Sequence, residues 1–152
     1  MLVDLQAATQ NSVPPKQDIE SWIAATLAGR TAMEHAEVSV RLVDSEEMAV
    51  LNEKYRGKKG PTNVLSFPAD PSGLPPEVAA LLGDIAVCAP VVAREAHAQG
   101  KPEVEHWAHL VVHGVLHLLG YDHESAGEAR EMEDLEIDIL RCFGIADPYV
   151  HE

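Results

Sequence analysis

Cysteine, aromatic residues and positive charge are all scarce in this chain of 152 residues. Its two cysteines, Cys88 and Cys142, exclude a disulfide-framed secreted fold and favour a reducing compartment. No apolar run approaches the roughly 20 residues that a membrane-spanning helix needs. The first residues also lack the basic segment and the apolar run of a signal peptide. We therefore expect a cytoplasmic protein that does not bind a membrane.

Basic residues are few and unevenly placed: 11 Lys and Arg stand against 25 Asp and Glu, for a formal net charge of −14. Such a charge argues against general nucleic-acid binding, which depends on neutralising phosphates. The stretch from Lys54 to Lys59 nevertheless contains four of the basic residues. A basic segment on an acidic body can attract nucleic acid at that segment alone. The ordinary alternative for this stretch is a solvated turn.

The length and the pattern of apolar residues predict one domain that covers residues 1–152. Hydrophobic residues make up 46% of the chain and charged residues 24%, as in ordinary globular proteins. A Pro-rich surface loop is expected over residues 68–77. Alternating and helical spacings predict strands near 1–6, 37–43, 62–68 and 83–88, and helices over 17–29, after Ser45, over 90–99, after Pro102 and over 125–143. We expect an α+β fold, in which a small mixed sheet of about four strands packs with five to six helices.

The most informative segment reads H-G-V-L-H-L-L-G-Y-D-H over residues 113–123. On a helix, His113 and His117 differ by about 40° around the axis and roughly 6 Å along it, so both can reach one metal ion. His123 joins them only if the chain turns back, and Gly120 stands where a left-handed helix end would allow that return. Three neutral nitrogen ligands with an open fourth position indicate a zincin-like, catalytic zinc site. We predict one Zn²⁺ per chain on these three histidines.

Residues near this motif are assigned no ligand role. We interpret His106 and His109, which lie earlier on the same predicted helix, as surface histidines or at most as neighbours of the ligands or substrate. The acidic helix near the C-terminus is interpreted as a solvated face. Tyr121, Asp122 or backbone carbonyls are candidates for orienting a ligating histidine through its other ring nitrogen.

The histidine spacing also matches the metzincin protease pattern H-E-x-x-H-x-x-G-x-x-H, with one departure. The second position, which supplies the general-base Glu in those proteases, is Gly114 here. Glycine offers no proton acceptor, so the usual way of activating water in a metallopeptidase is missing. This departure argues against a simple peptidase.

Three motifs taken together resemble the YbeY family of bacterial zinc-dependent endoribonucleases: L-N-E-K-Y-R at 51–56, P-T-N-V-L-S-F-P at 61–68, and the histidine motif at 113–123. The resemblance implies a zinc ion on His113, His117 and His123, with Arg56 as a functionally required basic residue near the metal. The catalytic set would then be these four residues. The resemblance further implies hydrolysis of single-stranded RNA, with no DNA expected as a substrate.

The same resemblance implies a role in ribosomal RNA processing, notably maturation of the 3′ end of the small-subunit RNA, and in ribosome quality control. The small ribosomal subunit would be a partner. Two alternatives stay open: a metalloendopeptidase-like hydrolase, and a non-catalytic ribosome-assembly factor whose zinc only orders the fold. The proton acceptor is also open among metal hydroxide, a nearby histidine and the 2′-hydroxyl of the RNA.

Overall fold

A computed structural model describes residues 1–31, 36–70 and 81–149 of the protein. These residues form the following elements, in chain order: β1 (Leu2–Ala8), α1 (Lys16–Leu27), β2 (Glu37–Val43), α2 (Ser45–Arg56), β3 (Val64–Pro68), β4 (Leu81–Cys88), α3 (Ala89–Gln99), α4 (Glu103–Leu118) and α5 (Ala126–Arg141). The expected α+β class, with about four strands and five to six helices, is confirmed. Within the described ranges, no helix combines the length and the hydropathy needed to cross a bilayer.

The four strands form one mixed sheet in the order β1-β2-β4-β3. β1, β2 and β4 run parallel, and β3 pairs antiparallel with β4 at one edge of the sheet. Two sequence segments that are far apart are therefore neighbours in space. The edge strand β3 carries the end of the P-T-N-V-L-S-F-P motif, and it lies against α4, which carries the first two histidines.

Alternate residues along the strands belong to two separate hydrophobic cores, because successive side chains of a strand point to opposite faces of the sheet. Ile85 and Val87 of β4 belong to the larger core, together with residues of α1, α4 and α5. Ala86 and Cys88 of the same strand belong to the smaller core, where Met48 of α2 is fully buried. The sheet therefore separates α2 from α4, and α2 reaches the site from the other side of β3.

Two local expectations differ from the structure, and a third lies mostly outside the described residues. The sequence predicts a helix that starts after Ser45, but α2 begins at Ser45 itself, and the preceding Asp44 accepts hydrogen bonds from Thr9 and Asn11 instead of capping the helix. The sequence predicts a last helix over 125–143, but α5 ends at Arg141 and Phe143, beyond that end, is exposed. The predicted Pro-rich loop lies, from residue 71 onward, outside the described residues.

Gly83 has no room for a side chain where β4 passes the end of β3. Its φ of +140° lies in a region that L-residues rarely adopt, and a Cβ there would lie 2.3 Å from the backbone oxygen of Phe67. The same Cβ would come within 2.9 Å of Leu118 Cδ2, at the end of α4. Backbone cannot yield as a flexible side chain does, so the strand crossing depends on glycine at this position.

We expect Gly83→Ala to lower the free energy of unfolding by about 2–5 kcal/mol, from backbone strain and overpacking together. Gly127→Ala is the matched control, because a Cβ there meets nothing and Gly127 lies inside α5 with ordinary dihedrals. That control should be neutral or stabilising by up to about 1 kcal/mol. Urea unfolding followed by circular dichroism measures both. Equal stability of the two variants would contradict the steric argument.

Candidate metal centre

Two of the predicted ligands lie one turn apart on α4 and face the same side. The Nε2 atoms of His113 and His117 are 3.1 Å apart. Two nitrogens that each lie about 2.0–2.1 Å from one tetrahedral zinc ion are separated by about 3.3 Å. The spacing of these two imidazoles therefore fits two ligands of a single metal ion.

The third histidine is brought back by a reversal after α4. The helix ends at Leu118, and Gly120 follows with a φ of +99°. The ring of His123 then lies 5.1 Å from that of His117, measured between ring centroids. One nitrogen from each of the three histidines lies within 4.8 Å of the other two, so the group can hold a metal ion. Imidazole nitrogens favour zinc and similar transition metals over calcium or magnesium.

The surroundings of His117 favour its neutral form. Burial lowers its pKa, and the neighbouring His113 and His123 lower it further, although Asp122 and the backbone of Tyr121 act in the opposite direction. A neutral imidazole is the form that binds a metal ion. Of the candidate orienting groups, the backbone of Tyr121 hydrogen-bonds to His117. The Asp122 carboxylate accepts from the backbone N–H of His123 at 2.7 Å, which is not a contact to its ring.

Sequence reasoning missed Glu136, a carboxylate on α5 that has no solvent exposure at all. Its Oε1 atom lies 2.5 Å from Nδ1 of His113, and its Oε2 atom accepts a hydrogen bond from the Tyr149 hydroxyl. A carboxylate on the outer nitrogen fixes the tautomer of a ligating histidine and directs its other nitrogen to the metal. The interpretation of the acidic helix as a solvated face is therefore wrong for this residue.

The electrostatics of Glu136 favour its charged form. Burial raises the pKa of this carboxyl, but hydrogen bonds from His109 and His113 outweigh burial and bring the pKa to about 2. A sequence signal for Glu136 existed, because it shares the helical spacing of the buried residues Met132, Ile139 and Leu140. A glutamate on an apolar stripe indicates a buried partner.

His106 and His109 are not surface histidines, contrary to expectation. His106 is only 3% exposed, and its Nε2 atom lies 2.9 Å from a carboxylate oxygen of Glu95. Burial lowers the pKa of His106, which keeps it neutral. His109 lies 3.1 Å from the Tyr149 hydroxyl through its Nε2 atom. Both histidines lie on α4, about two turns and one turn before His113, where neighbouring segments cover the helix.

The triad opens into a cleft of about 820 Å³ whose opposite wall is the end of α2. Arg56, the last residue of α2, lines this cleft together with His113, His117 and His123. Its guanidinium makes no hydrogen bond or ion pair with any other residue in the described parts of the chain. The lysines of the same basic stretch do not line the cleft. Tertiary structure therefore joins residues that are more than fifty positions apart.

Gly114 packs against the sheet instead of facing the cleft. Its carbonyl accepts a hydrogen bond from the Ser66 hydroxyl at 2.9 Å. A Cβ at this position would lie 3.2 Å from Val64 Cγ2 and 3.3 Å from Ile85 Cγ2, closer than most real contacts. A glutamate at this position would therefore disturb the packing of α4 on β3 and β4 before it could act on substrate.

We expect Glu136→Gln to weaken metal binding about 10- to 100-fold, because an amide holds the His113 tautomer less firmly than a carboxylate. Titration against a chromophoric chelator measures the affinity. Glu131→Gln, an identical change at an exposed position of the same helix, is the control and should leave affinity unchanged. Equal affinities for the two variants would show that Glu136 does not support the site.

Comparison with known proteins agrees with this geometry. The sequence profile of the family described as Endoribonuclease YbeY matches residues 5–144. A protein named Endoribonuclease YbeY from Alkalilimnicola ehrlichii is 55% identical over 148 residues, which is 97% of this chain and 89% of that protein. A namesake from Methylococcus capsulatus is 54% identical and covers 95% of this chain and 93% of its own length. The solution structure of a Thermotoga maritima protein covers 97% of this chain and 99% of its own, with a TM-score of 0.60 and 22% identity, and therefore shows the fold alone. The chain belongs to the endoribonuclease YbeY family.

Proposed function

We propose that this protein is a zinc-dependent endoribonuclease that hydrolyses single-stranded RNA in the cytoplasm. The observation that carries the proposal is the shared cleft: a cation with no partner among the described residues faces three histidines that can hold a metal ion. Two proteins that are 55% and 54% identical to this one over nearly the whole chain carry the name of an endoribonuclease. A phosphodiester is an anion, so a cleft that combines a metal and an arginine suits it.

Each residue in the cleft or behind it has a distinct role in this proposal. His113, His117 and His123 would hold the metal through neutral nitrogens, and Glu136 would keep the Nδ1 proton of His113 in place. Zinc bound in such a site supplies Lewis acidity and lowers the pKa of water. The planar guanidinium of Arg56 would bind two phosphate oxygens and offset their charge. A nearby histidine loses support as the proton acceptor, because neither His106 nor His109 lines the cleft.

We further propose ribosomal RNA, notably the 3′ end of the small-subunit RNA, as the substrate, and the small ribosomal subunit as the partner. The support is the family resemblance, together with a net charge of −14 that repels RNA over most of the surface. A surface of this kind favours RNA that is presented to the cleft over RNA that is bound at random. We assign this activity to one domain over residues 1–152, with one zinc ion.

The two alternatives differ in what they require of position 114 and of the metal. A metallopeptidase needs a general base beside the ligands, and Gly114 supplies none while it packs against Val64 and Ile85. A non-catalytic assembly factor needs zinc only for folding, so removal of a structural ion should unfold the protein. The described residues already build two apolar cores around the sheet, which supports a fold that stands without the metal.

We expect purified protein to cleave a labelled single-stranded RNA, to leave casein intact, and to lose RNA cleavage when a chelator removes the metal. Circular dichroism should show that the chelated protein keeps its helices, and added zinc should restore activity. Gel electrophoresis with each substrate makes the measurement. Cleavage of casein would favour the peptidase, and unfolding on chelation would favour the structural metal.

The contribution of Arg56 is separable from that of the metal. We expect Arg56→Ala to keep its zinc content and fold but to slow single-turnover RNA cleavage about 30- to 1000-fold, because one charge-assisted contact to the phosphate is lost. Arg56→Lys should restore part of the rate, since an ammonium keeps the charge without the planar fork.

Lys58→Ala is the matched control for Arg56→Ala, because it removes an exposed positive charge two residues away that does not line the cleft. Its effect should be small and should fade as salt is raised from low to moderate concentration. A normal rate for Arg56→Ala together with an inactive Lys58→Ala would show that the phosphate contact has been assigned to the wrong residue.

A further inference from the structure

Aromatic side chains are concentrated in the cleft although the chain has few of them. The sequence contains two Trp, three Tyr and two Phe. Both tryptophans are buried in the larger core. Three of the remaining five, Tyr55, Phe67 and Tyr121, line the cleft that holds the histidines and Arg56. Tyr121 and Phe67 also pack partly against the two apolar cores, whereas Tyr55 belongs to neither core.

Tyr55 and Phe67 form an aromatic pair across the cleft wall. Their ring centroids are 4.9 Å apart and the ring planes are inclined by 64°. Tyr55 directly precedes Arg56 at the end of α2 and remains 55% exposed, while Phe67 of β3 is half-buried. The phenol hydroxyl of Tyr55 has no hydrogen-bond partner in the described ranges. An aromatic ring this exposed, beside a cation and a metal site, leaves a planar surface available to a ligand.

Positive charge lies on one side of the aromatic pair. The Nζ atom of Lys54 lies 5.2 Å from the centre of the Tyr55 ring, and Lys58 and Lys59 follow Arg56 in the next exposed segment. Proteins bind single-stranded nucleic acid by combining cations that follow the backbone with aromatic rings on which bases stack. The combination of ring and cation is present here on adjacent residues.

We propose that Tyr55, supported by Phe67, stacks against one base of a single-stranded RNA while Arg56 holds the phosphate beside it. The proposal rests on the proposed endoribonuclease function and adds the recognition of a base to it. A base within a duplex has both faces covered by its neighbours and cannot stack on a protein ring without being extruded. The aromatic pair therefore gives a physical reason for preferring single strands.

The charges on either side of the aromatic pair indicate the path of the RNA backbone over the surface. The same two rings also line a second cleft of about 350 Å³ on the α2 side of the sheet. That cleft carries three carboxylates, Asp4, Glu47 and Asp84, and its Arg41 is paired with Glu47 at 2.5 Å. Its walls repel phosphate. The sugar–phosphate chain therefore follows Arg56 and the lysines, and the rings receive a base at the boundary between the two clefts.

Tyr55 is the residue to change, because Phe67 also packs against the smaller core and its replacement would disturb the fold. We expect Tyr55→Ala to raise KM for an unstructured RNA about 10-fold with kcat nearly unchanged. The reason is that the bound substrate and the transition state lose the same stacking energy. Tyr55→Phe should behave like the parent, because it keeps the ring. Val50→Ala is the control: it trims another exposed side chain of α2, which is 61% exposed and lines neither cleft.

The substrate supplies the decisive comparison. A series of RNA oligonucleotides, each lacking one base at a successive position around the cleaved bond, is tested with the parent and with Tyr55→Ala. At one position the two proteins should have the same KM, because the base that Tyr55 contacts is absent. The proposal is overturned if Tyr55→Ala leaves KM for the intact RNA unchanged, if its effect persists at every position, or if Tyr55→Phe is equally impaired.

Failure of the stacking proposal can be told apart from failure of the proposed function. If the parent cleaves RNA and Tyr55 has no effect on KM, only the stacking proposal fails. If the parent does not cleave RNA, the proposed function fails, and stacking is judged by fluorescence of RNA that carries 2-aminopurine. Fluorescence quenching on mixing that disappears in Tyr55→Ala and returns in Tyr55→Phe supports stacking. Quenching that is the same in the parent and in Tyr55→Ala overturns it.

Discussion

The contact between His113 and Glu136 is the interaction on which the rest of the site depends. A fully buried carboxylate costs several kcal/mol of desolvation unless charged or hydrogen-bonding partners compensate it. Glu136 has such partners on both oxygens: His113 at 2.5 Å on one and the Tyr149 hydroxyl on the other. Together with the contact between Tyr149 and His109, these contacts join α4, α5 and the segment after α5. The orientation of His113 and the packing of the last helix are therefore one constraint.

Helix α4 performs two tasks because its faces differ. One face contributes fully buried residues such as Val115 and Leu116 to the larger core. The face that carries His113 and His117 opens into the cleft. Gly114 lies between His113 and the buried Val115 in the sequence. It lets the helix approach Val64 and Ile85 closely, and its carbonyl accepts a hydrogen bond from Ser66. Glycine at position 114 therefore allows the close packing of α4 on the sheet and also leaves the site without the glutamate of a metallopeptidase.

Charge distribution complements this geometry. A formal charge of −14 repels polyanions over most of the surface, so an attraction for them has to come from a small basic region. The end of α2 is where basic residues and an exposed aromatic ring coincide, and it faces the histidines across the cleft. The sheet order explains the meeting, because β3 lies at the edge where α4 packs on one side and α2 reaches from the other.

Local patterns were sufficient for the elements and for the histidine triad. The spacing of His113 and His117 and the glycine before His123 are short-range features, and helix geometry alone turns them into one site. Glu136 and the burial of His106 were missed because burial depends on which distant segment covers a side chain, and α3, α5 and the segment containing Tyr149 cover α4 only in the folded chain. The sequence by itself determined the helices, the strands and the grouping of the three histidines. Tertiary structure alone decided which carboxylate contacts His113, and it alone placed Arg56 and Tyr55 in one cleft with the histidines, because both depend on contacts between segments far apart in the chain.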